Sequence, residues 1–323
     1  MILLVCLLLL IINNICYGRL RELREEVELL PLSRGIHIPI IGLGTAGLRE
    51  DTSKIVLTAL NAGIRLIDTA QAVEWYDEKQ VGIGLQEYIK NNDGYTLDDF
   101  VIVTKVHPRF FEFKKMEKRL DQSIEYLHGE NNDRALDVVL LHSPRCWNGH
   151  CNQEEESHTW QEAWRNLEQF KEEGKVLEIG ISNFDYEELK DLLSMSNTKV
   201  AVIQNWMDPL HQDRATRELA QSNGIAYMAY SSYGTQWQGR RRKLNEPDNP
   251  VLHHPELLRI ADKHSATVPQ VINSWLSQLK VIAIPRSSSE DHVIENAQHR
   301  EFLDDIDMFD IQALDNSIGT PWD

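Results

Sequence analysis

Apolar and polar residues alternate along this chain of 323 residues with two different periods. Short, nearly continuous apolar runs are typical of buried strands, whereas apolar residues at every third or fourth position are typical of amphipathic helices. The runs predict eight strands, over residues 40–43, 65–68, 101–105, 136–142, 177–182, 201–204, 226–230 and 281–285. The stretches between them predict helices that include residues 53–62, 78–90, 112–127, 160–173, 186–194, 213–222 and 268–278. Eight strands that alternate with helices favour an α/β fold, a parallel sheet closed into a (β/α)8 TIM barrel.

An N-terminal β-hairpin and a glycine-rich loop precede the first predicted helix. Residues 29–32 and 37–40 flank the turn sequence Ser33-Arg34-Gly35, which predicts the hairpin. An open doubly wound sheet is the alternative architecture, because residues 42–47 match the dinucleotide fingerprint G-x-G-x-x-G. In that fingerprint the glycines open directly into a helix, whereas residues 48–51 intervene here. The barrel is therefore preferred, with small residues where its first strand ends in a tight loop.

The N-terminus carries an unbroken apolar run, residues 2–12, followed by the small-x-small pattern Cys16-Tyr17-Gly18. A helix of this length spans about 16 Å, which is too short for a bilayer core of about 30 Å but suits a secretory signal. Residues 1–18 are therefore predicted to be a signal peptide, and residues 19–323 a single barrel domain. No Lys or Arg precedes the run, so an uncleaved anchor or a mis-assigned start is the alternative. A true signal places the protein in the secretory pathway (ER lumen or secreted), and otherwise it is cytoplasmic.

The charge distribution argues against nucleic acid as a partner. The net charge of −17 is spread along the chain, whereas polyanion binding requires a concentrated basic patch. The basic run Arg240-Arg241-Arg242-Lys243 has polar neighbours and is interpreted as a solvated loop. No membrane span is expected in the mature chain, and a monomer is the working expectation.

Removal of the leader would leave Cys146 and Cys151 as the cysteines of the mature chain. In an oxidising compartment this pair would close a small loop as a disulfide. A zinc site that also uses His150 and His158 is the alternative, but the adjacent ligands His150 and Cys151 fit a tetrahedron poorly. No metal is therefore expected.

Three consecutive predicted strands end in polar residues, namely Asp68, Lys105 and His142. The carboxyl ends of the strands in a β/α barrel meet at one rim, where active sites lie. Each residue alone has a structural explanation, as a helix cap, a strand end or a buried histidine. Their succession on neighbouring strands indicates a catalytic site instead.

Four segments resemble signatures of the aldo-keto reductase family, and they occur in the family's order. They are GIRLIDTA (63–70), LLHSP (140–144), GISNF (180–184) and IPRS (284–287). The resemblance covers the chain from about residue 29 to residue 296 and implies the barrel fold. It also implies NADPH-dependent reduction of an aldehyde or ketone to an alcohol, with NADPH/NADP as cofactor.

The resemblance implies a catalytic tetrad of Asp, Tyr, Lys and His, to which Asp68, Lys105 and His142 correspond directly. The family places its tyrosine five residues after the aspartate, where this chain has Val73. The spacing to the next signature glycine is two residues longer than usual, so Tyr76 is assigned as the proton donor on a lengthened loop. An aromatic residue that only lines the pocket is the alternative interpretation of Tyr76.

Reduction chemistry explains why these residue types belong together. Hydride addition to a carbonyl carbon develops negative charge on the oxygen, which must then be protonated. A free phenol, with a pKa of about 10, is a reluctant donor, so Lys105 is expected to lower the pKa of Tyr76. Asp68 is expected to hold Lys105 charged, and His142 to orient and polarise the substrate carbonyl.

The resemblance further implies eleven cofactor contacts, which fall into three groups. Side chains at the ends of the fifth, sixth and seventh strands (182, 183, 204 and 230) would hold the nicotinamide and stack on it. Side chains after the last strand (286–289) would bind phosphate, and those at 295 and 296 would face the adenine. Arginine and serine after the last strand favour NADPH over NADH, because they would bind its 2′-phosphate. His292 stands where the family often has arginine. The residues are Ser182, Asn183, Gln204, Tyr230, Arg286, Ser287, Ser288, Ser289, His292, Glu295 and Asn296.

Two questions about function stay open on the sequence. The shifted tyrosine leaves a second hypothesis, a catalytically lapsed barrel that binds NADP(H) as a sensor or interaction module. The substrate beyond a small-molecule carbonyl, and the direction of the reaction, are also undefined. Aromatic residues near strand-end loops are predicted either to wall an apolar pocket or to pack within loops. They are Trp75, Phe110, Phe111, Trp147 and Trp237.

Overall fold

The computed structural model describes residues 29–32, 36–147, 149–237 and 249–316. The predicted signal peptide (1–18) and the basic run (240–243) lie outside these ranges and stay predictions. Within the described ranges, the helices are all too short or too polar to cross a bilayer.

Eight parallel strands form the central sheet. They are β3 (Leu43–Gly44), β4 (Leu66–Asp68), β5 (Val101–Val106), β6 (Leu136–Leu141), β7 (Val176–Ser182), β8 (Val202–Trp206), β9 (Ala226–Tyr230) and β10 (Val281–Ala283). Each strand pairs with the strand that follows it in the chain. The sheet curls until its ends meet, because Ile41 bridges Ala283 in parallel and Ala283 N donates to Ile40 O at 2.9 Å. The predicted (β/α)8 barrel is confirmed.

The predicted hairpin is also confirmed. Strand β1 (Leu29–Pro31) pairs antiparallel with β2 (His37–Pro39), with Leu30 opposite Ile38. Ile38 is fully buried, so the hairpin is attached to the barrel by apolar packing.

Helices connect the strands and cover the outside of the sheet. Several begin at capping boxes, in which the Thr159, Asp185 and Thr267 side chains each accept a backbone N–H of the first turn. Four helices, namely α4, α8, α10 and α11, go beyond the predicted stretches. The helices are α1 (Thr52–Asn61), α2 (Glu78–Asn91), α3 (Phe113–His128), α4 (Gln153–Glu156), α5 (Trp160–Glu172), α6 (Tyr186–Met195), α7 (Arg214–Ser222), α8 (Pro255–Lys263), α9 (Val268–Gln278), α10 (Glu290–Ala297) and α11 (Asp305–Gln312).

The glycine-rich loop after β3 serves barrel closure, as the preferred interpretation of residues 42–47 predicts. A Cβ atom on Gly44 would lie 2.8 Å from Ile284 O, so only glycine lets the first and last strands approach this closely. Gly47 has a φ of 71°, and a 3-10 turn (Arg49–Asp51) separates it from helix α1. The loop therefore does not open directly into a helix, as a dinucleotide fingerprint would.

Candidate active site

A cavity of about 760 Å³ opens at the carboxyl ends of the strands. Its floor and sides include Asp68, Tyr76 and His142 from the predicted tetrad, and Lys105 lies fully buried beside them. The structure therefore brings the four predicted catalytic residues together at the rim where barrel enzymes hold their sites.

Lys105 and Asp68 form a buried ion pair. Lys105 Nζ donates to Asp68 Oδ1 at 2.7 Å and to the Thr69 carbonyl at 2.8 Å. Gln204 Nε2 donates to the same carboxylate oxygen at 2.7 Å. Burial raises the pKa of Asp68 and lowers the pKa of Lys105, while the attraction between the two charges opposes both shifts. The neighbouring donors and acceptors thus fix the position of the ammonium group.

The loop after β4 brings Tyr76, and not Val73, to the site. The backbone N–H groups of Trp75 and Tyr76 both donate to Ala72 O at 2.9 Å, which folds the loop into a tight turn. Val73 is 69% exposed. The Tyr76 ring lies edge-on to His142 with 5.8 Å between centroids, and Lys105 Nζ is 5.0 Å from the centre of the Tyr76 ring. The turn therefore accommodates the longer spacing from Asp68 to Tyr76.

The expectation that Lys105 lowers the pKa of Tyr76 is wrong for this structure. Burial raises the pKa of Tyr76 well above its usual range, and Asp68 and Tyr230 raise it further. Lys105 directs hydrogen bonds to Asp68 and Thr69, so the nearby carboxylate offsets its charge at the phenol. The phenol is therefore protonated at neutral pH, as a proton donor must be, but it is a weaker acid than a free tyrosine.

His142 is held as a neutral ring. Burial lowers its pKa well below the ordinary value, and the Lys105 charge and His107 add to this effect. Its Nδ1 atom is buried and has no hydrogen-bond partner among the described residues. A neutral imidazole at a cavity wall retains one N–H that can donate to a ligand oxygen.

The nicotinamide-side residues lie on three neighbouring strand ends and line the cavity. Asn183 has a φ of 61°, which directs its side chain so that Nδ2 donates to His142 O at 2.8 Å. The Tyr230 hydroxyl donates to Asn183 Oδ1 at 2.6 Å. Ser182 and Gln204 complete this group, which therefore connects His142 to the residues predicted to hold the cofactor.

The phosphate- and adenine-side residues are more dispersed. Arg286 lines the cavity, and its Nη2 donates to Gly47 O at 3.1 Å. The other predicted residues of this group are not among the lining residues of the cavity, and they lie in the turn before helix α10 and on that helix. Their contacts include Ser287 Oγ accepting from Ser289 N at 3.0 Å, Glu295 accepting from Thr267 at 2.6 Å and Asn296 accepting from Tyr233 at 2.8 Å. Ser288 and His292 are exposed.

Sequence reasoning missed the segment after β9. Ser231, Ser232 and Tyr233 line the cavity, together with Thr235 and Gln236. Ser232 Oγ is buried without a hydrogen-bond partner in the described part of the chain. These residues follow a predicted strand end, and that position was the available signal. Unpaired polar atoms and several amide and hydroxyl side chains in one cavity lining fit a polar, ring-containing cofactor.

The five aromatic residues predicted near the loops separate into two groups. Trp75 and Trp147 line the cavity, with 5.7 Å between their ring centres. Phe111 and Trp237 are core residues, because each is at most 1% exposed to solvent. Phe110 packs under the Arg119 guanidinium at 4.4 Å. For Phe111, Trp237 and Phe110, ordinary packing is therefore the correct interpretation.

Cys146 and Cys151 are joined by a disulfide, with 6.0 Å between their Cα atoms. This separation lies within the range that a disulfide spans. In the described ranges, the side chains close enough to hold a metal are these two cysteines and His107, without His150 and His158. The zinc site considered from the sequence is therefore not formed, since the sulfur atoms are bonded to each other. His150 instead lines the cavity, with its ring 5.0 Å from Trp75.

Comparison with known proteins adds a family to this geometry. The family model described as "Aldo/keto reductase family" matches residues 40–316. The chain is 30% identical to an NADPH-dependent D-xylose reductase of Meyerozyma guilliermondii, over 91% of this chain and 97% of the relative. A crystal structure of an aldo-keto reductase complexed with NADPH has 29% identity and a TM-score of 0.79, covering 90% of this chain and 89% of that chain. A Bombyx mori aldo-keto reductase in complex with NADP has 26% identity and a TM-score of 0.78, covering 90% of this chain and 94% of that chain. The chain belongs to the aldo/keto reductase family.

Proposed function

We propose that this protein reduces an aldehyde or ketone to an alcohol with NADPH, and that Tyr76 donates the proton. The observation that carries the proposal is the meeting of Asp68, Tyr76, Lys105 and His142 at one side of a cavity. The named relatives support the reaction class and the cofactor, because they are NADPH-dependent reductases or structures with NADPH or NADP.

The four residues divide the work of protonating an oxygen. NADPH, when bound, supplies a hydride to the substrate carbonyl carbon. Tyr76 is protonated at neutral pH, so its O–H is available for the oxygen on which charge develops. The neutral His142 ring orients that oxygen with an N–H hydrogen bond.

Lys105 then stabilises the charge that appears on Tyr76 once the proton has left. Its ammonium lies 5.0 Å from the centre of the phenol ring, in a buried site where electrostatic interactions are strong. Asp68 fixes that ammonium through a hydrogen bond of 2.7 Å. By stabilising the phenolate, the cation favours transfer of the proton to the substrate oxygen and opposes the effect of burial.

The residues that would hold NADPH follow from the cavity lining. Ser182, Asn183 and Gln204 offer amide and hydroxyl groups for the nicotinamide carboxamide, and Tyr230 offers a ring on which it would stack. Arg286, which also lines the cavity, offers a guanidinium for phosphate. The buried Ser232 hydroxyl supplies a further donor in the cavity lining.

The secretory location is a separate proposal, which rests on the predicted signal. The Cys146–Cys151 disulfide supports it, because such bonds persist in oxidising compartments. N-terminal sequencing of the protein from its native source tests it. A mature chain that begins near residue 19 is expected, and a chain that begins at Met1 contradicts it.

The activity proposal is tested by measuring binding and turnover on the same preparation. NADPH binding is followed by fluorescence, and NADPH oxidation by absorbance after 4-nitrobenzaldehyde is added, with identification of the alcohol product. We expect binding and equimolar formation of NADP and alcohol. Binding without oxidation of NADPH, across a panel of aldehydes and ketones, would overturn the proposal and favour the sensor hypothesis.

A further inference from the structure

The loop that follows β6 is closed covalently at the edge of the cavity. Its two ends are Cys146 and Cys151, which the disulfide joins across five positions of the chain. Both cysteines are half-buried, so a reagent can reach the bond. Trp147 and His150 lie between the cysteines, and both line the cavity. The disulfide therefore restrains two cavity-lining aromatic side chains.

Trp147 links this loop to the catalytic residues. Its ring centre lies 5.1 Å from His142 and 5.7 Å from Trp75, both in edge-on arrangements. His150 also contacts Trp75, with 5.0 Å between ring centres in a tilted arrangement. Edge-on aromatic contacts of this kind fix the orientation of each ring relative to its neighbours. The three rings of Trp75, Trp147 and His150 form one wall, which we call the aromatic wall.

His107 lies beside the disulfide. One ring nitrogen of His107 and the two sulfur atoms lie within 4.8 Å of one another. Nδ1 accepts from the backbone and side-chain N–H groups of Arg109, both at 3.2 Å, so the proton of the neutral ring resides on Nε2. Nε2 is buried and has no hydrogen-bond partner in the ranges described. This N–H can stabilise the thiolate that leaves when the disulfide is attacked, and a better leaving thiolate makes exchange faster.

We propose that Cys146–Cys151 is a redox-sensitive element that sets the substrate range of the pocket. Oxidised, it holds the aromatic wall in place, and the pocket prefers carbonyl compounds with an aromatic ring. A dithiol reductant breaks the S–S bond, giving two electrons and two protons to form two thiols while it becomes a disulfide itself. The reduced loop no longer holds Trp147 against His142 and Trp75, and the preference for aromatic substrates falls.

The inference rests on the proposed function, but it concerns a separable property. Asp68 and Lys105 are held by the sheet and by their own hydrogen bonds, and the His142 backbone N–H donates to Val106 O at 3.0 Å. None of these bonds involves the loop. Reduction of the disulfide therefore leaves the chemistry on a small aliphatic aldehyde within about twofold. One lost aromatic contact is worth roughly threefold to tenfold in kcat/KM for an aromatic aldehyde.

The test compares the oxidised and reduced full-length enzyme with two aldehydes, propanal and 4-nitrobenzaldehyde. The enzyme is reduced with dithiothreitol, freed of the reagent under nitrogen and assayed with NADPH in buffer that contains EDTA. Alkylation and peptide mapping assign the thiols to Cys146 and Cys151 and exclude the leader cysteines. We expect kcat/KM for 4-nitrobenzaldehyde to fall about threefold to tenfold on reduction, and that for propanal to stay within twofold.

Variants separate the possible outcomes. The double variant Cys146→Ser/Cys151→Ser is expected to match the reduced enzyme and to ignore dithiothreitol, and Trp147→Ala to lose the aromatic preference in both states. His107→Phe is expected to slow reduction by dithiothreitol at least about threefold, whereas His107→Gln, which keeps an N–H donor, is expected to restore the rate. If kcat/KM for 4-nitrobenzaldehyde is the same in the oxidised and the reduced enzyme, and that for propanal is too, the inference is overturned while the proposed function stays intact. Absence of turnover in both states would instead refute the proposed function.

Discussion

Among the described residues two lysine–carboxylate pairs are buried, and one of them lies at the carboxyl ends of the strands, beside Tyr76 and His142. Lys105 pairs with Asp68 at the carboxyl end of the sheet, with side chains 0% and 3% exposed. Lys171 on α5 pairs with Glu178 near the start of β7, with side chains 8% and 0% exposed. Both lysines also donate to a backbone carbonyl, Thr69 in the first pair and Leu177 in the second. The two pairs are therefore alike in burial and in hydrogen bonding.

The difference between them lies in what surrounds each pair. The Lys105 ammonium lies beside the Tyr76 ring, and Tyr76 and His142 both line the cavity. Lys171 instead joins a covering helix to a strand, and its other contact is the backbone of that strand. A buried ion pair is thus not evidence of catalysis by itself, because burial costs both pairs similar desolvation energy. The position at the carboxyl ends of the strands is what distinguishes the candidate site.

The largest expected effect tests this distinction with the matched substitutions Lys105→Met and Lys171→Met. Each leaves a buried carboxylate without its partner, so each is expected to lower the free energy of unfolding by about 3–5 kcal/mol. Only Lys105→Met is expected to lower kcat by a further 10²- to 10⁴-fold, roughly the size of a lost acid–base contribution. Urea unfolding gives the free energy of unfolding. The rate of NADPH oxidation, measured at low temperature and divided by the folded fraction, gives kcat.

Asp68→Asn and Glu178→Gln repeat the comparison with nearly isosteric side chains, for the case that a methionine variant does not fold. The first is expected to lower kcat and the second to leave it within twofold. Equal loss of kcat in both positions would show that the Lys105–Asp68 pair acts only through stability.

An effect of intermediate size is expected for Arg286→Ala at the cavity rim. A guanidinium–phosphate contact is worth about 1.5–3 kcal/mol, so the apparent KM for NADPH is expected to rise roughly 10- to 100-fold. The apparent KM for NADH is expected to change much less, because NADH lacks the 2′-phosphate. Steady-state titration with each cofactor measures both constants. An equal rise for the two would place Arg286 away from the 2′-phosphate.

The smallest expected effect concerns two buried histidines at opposite ends of the barrel. Burial lowers the pKa values of His107, near the cavity, and His128, at the end of α3, to about 4. The unfolded rings have pKa values of about 6.5 and bind more protons below that pH, so this contribution to stability is present above pH 6.5 and is lost as the pH falls towards 4. After screening by solvent it is on the order of 1 kcal/mol for each ring.

Urea unfolding of the wild type and His128→Phe at pH 7.5 and 4.5 isolates this contribution. The variant is expected to lose less stability over that interval than the wild type, and His107→Phe is expected to behave alike. The carboxylic acids with raised pKa values act in the opposite direction, but they are common to all three proteins. The same pH dependence in wild type and variants would show that the two rings are not held neutral.

The sequence predicted the framework well, because strand periodicity and strand ends are local features. Asp68, Lys105 and His142 were identified by their position after apolar runs, and all three lie together in the fold. The positions of the Phe111 and Trp237 side chains were harder to predict. The sequence near a loop does not tell whether an aromatic ring points into the core or into the cavity. Trp237 turns into the core because its indole donates to Asp208 at 2.8 Å, a partner 29 positions away in the chain.

Electrostatic properties depend on the completed fold and were predicted less well. The direction of the Tyr76 pKa shift reflects burial, Asp68 and Tyr230 together, and the sequence does not give their relative sizes. The wall formed by Trp75, Trp147 and His150 likewise depends on how two separate loops meet. Sequence reasoning therefore identifies which groups take part more readily than how each group is tuned.

The central claim is that the phenol of Tyr76 delivers the proton, and the most direct measurement is single-turnover reduction by Tyr76→Phe. The variant is expected to bind NADPH as tightly as the wild type, while the rate of NADPH oxidation by bound aldehyde falls roughly 10²- to 10⁴-fold. A rate within threefold of the wild type, with NADPH binding unchanged, would contradict the claim and require another donor at the cavity.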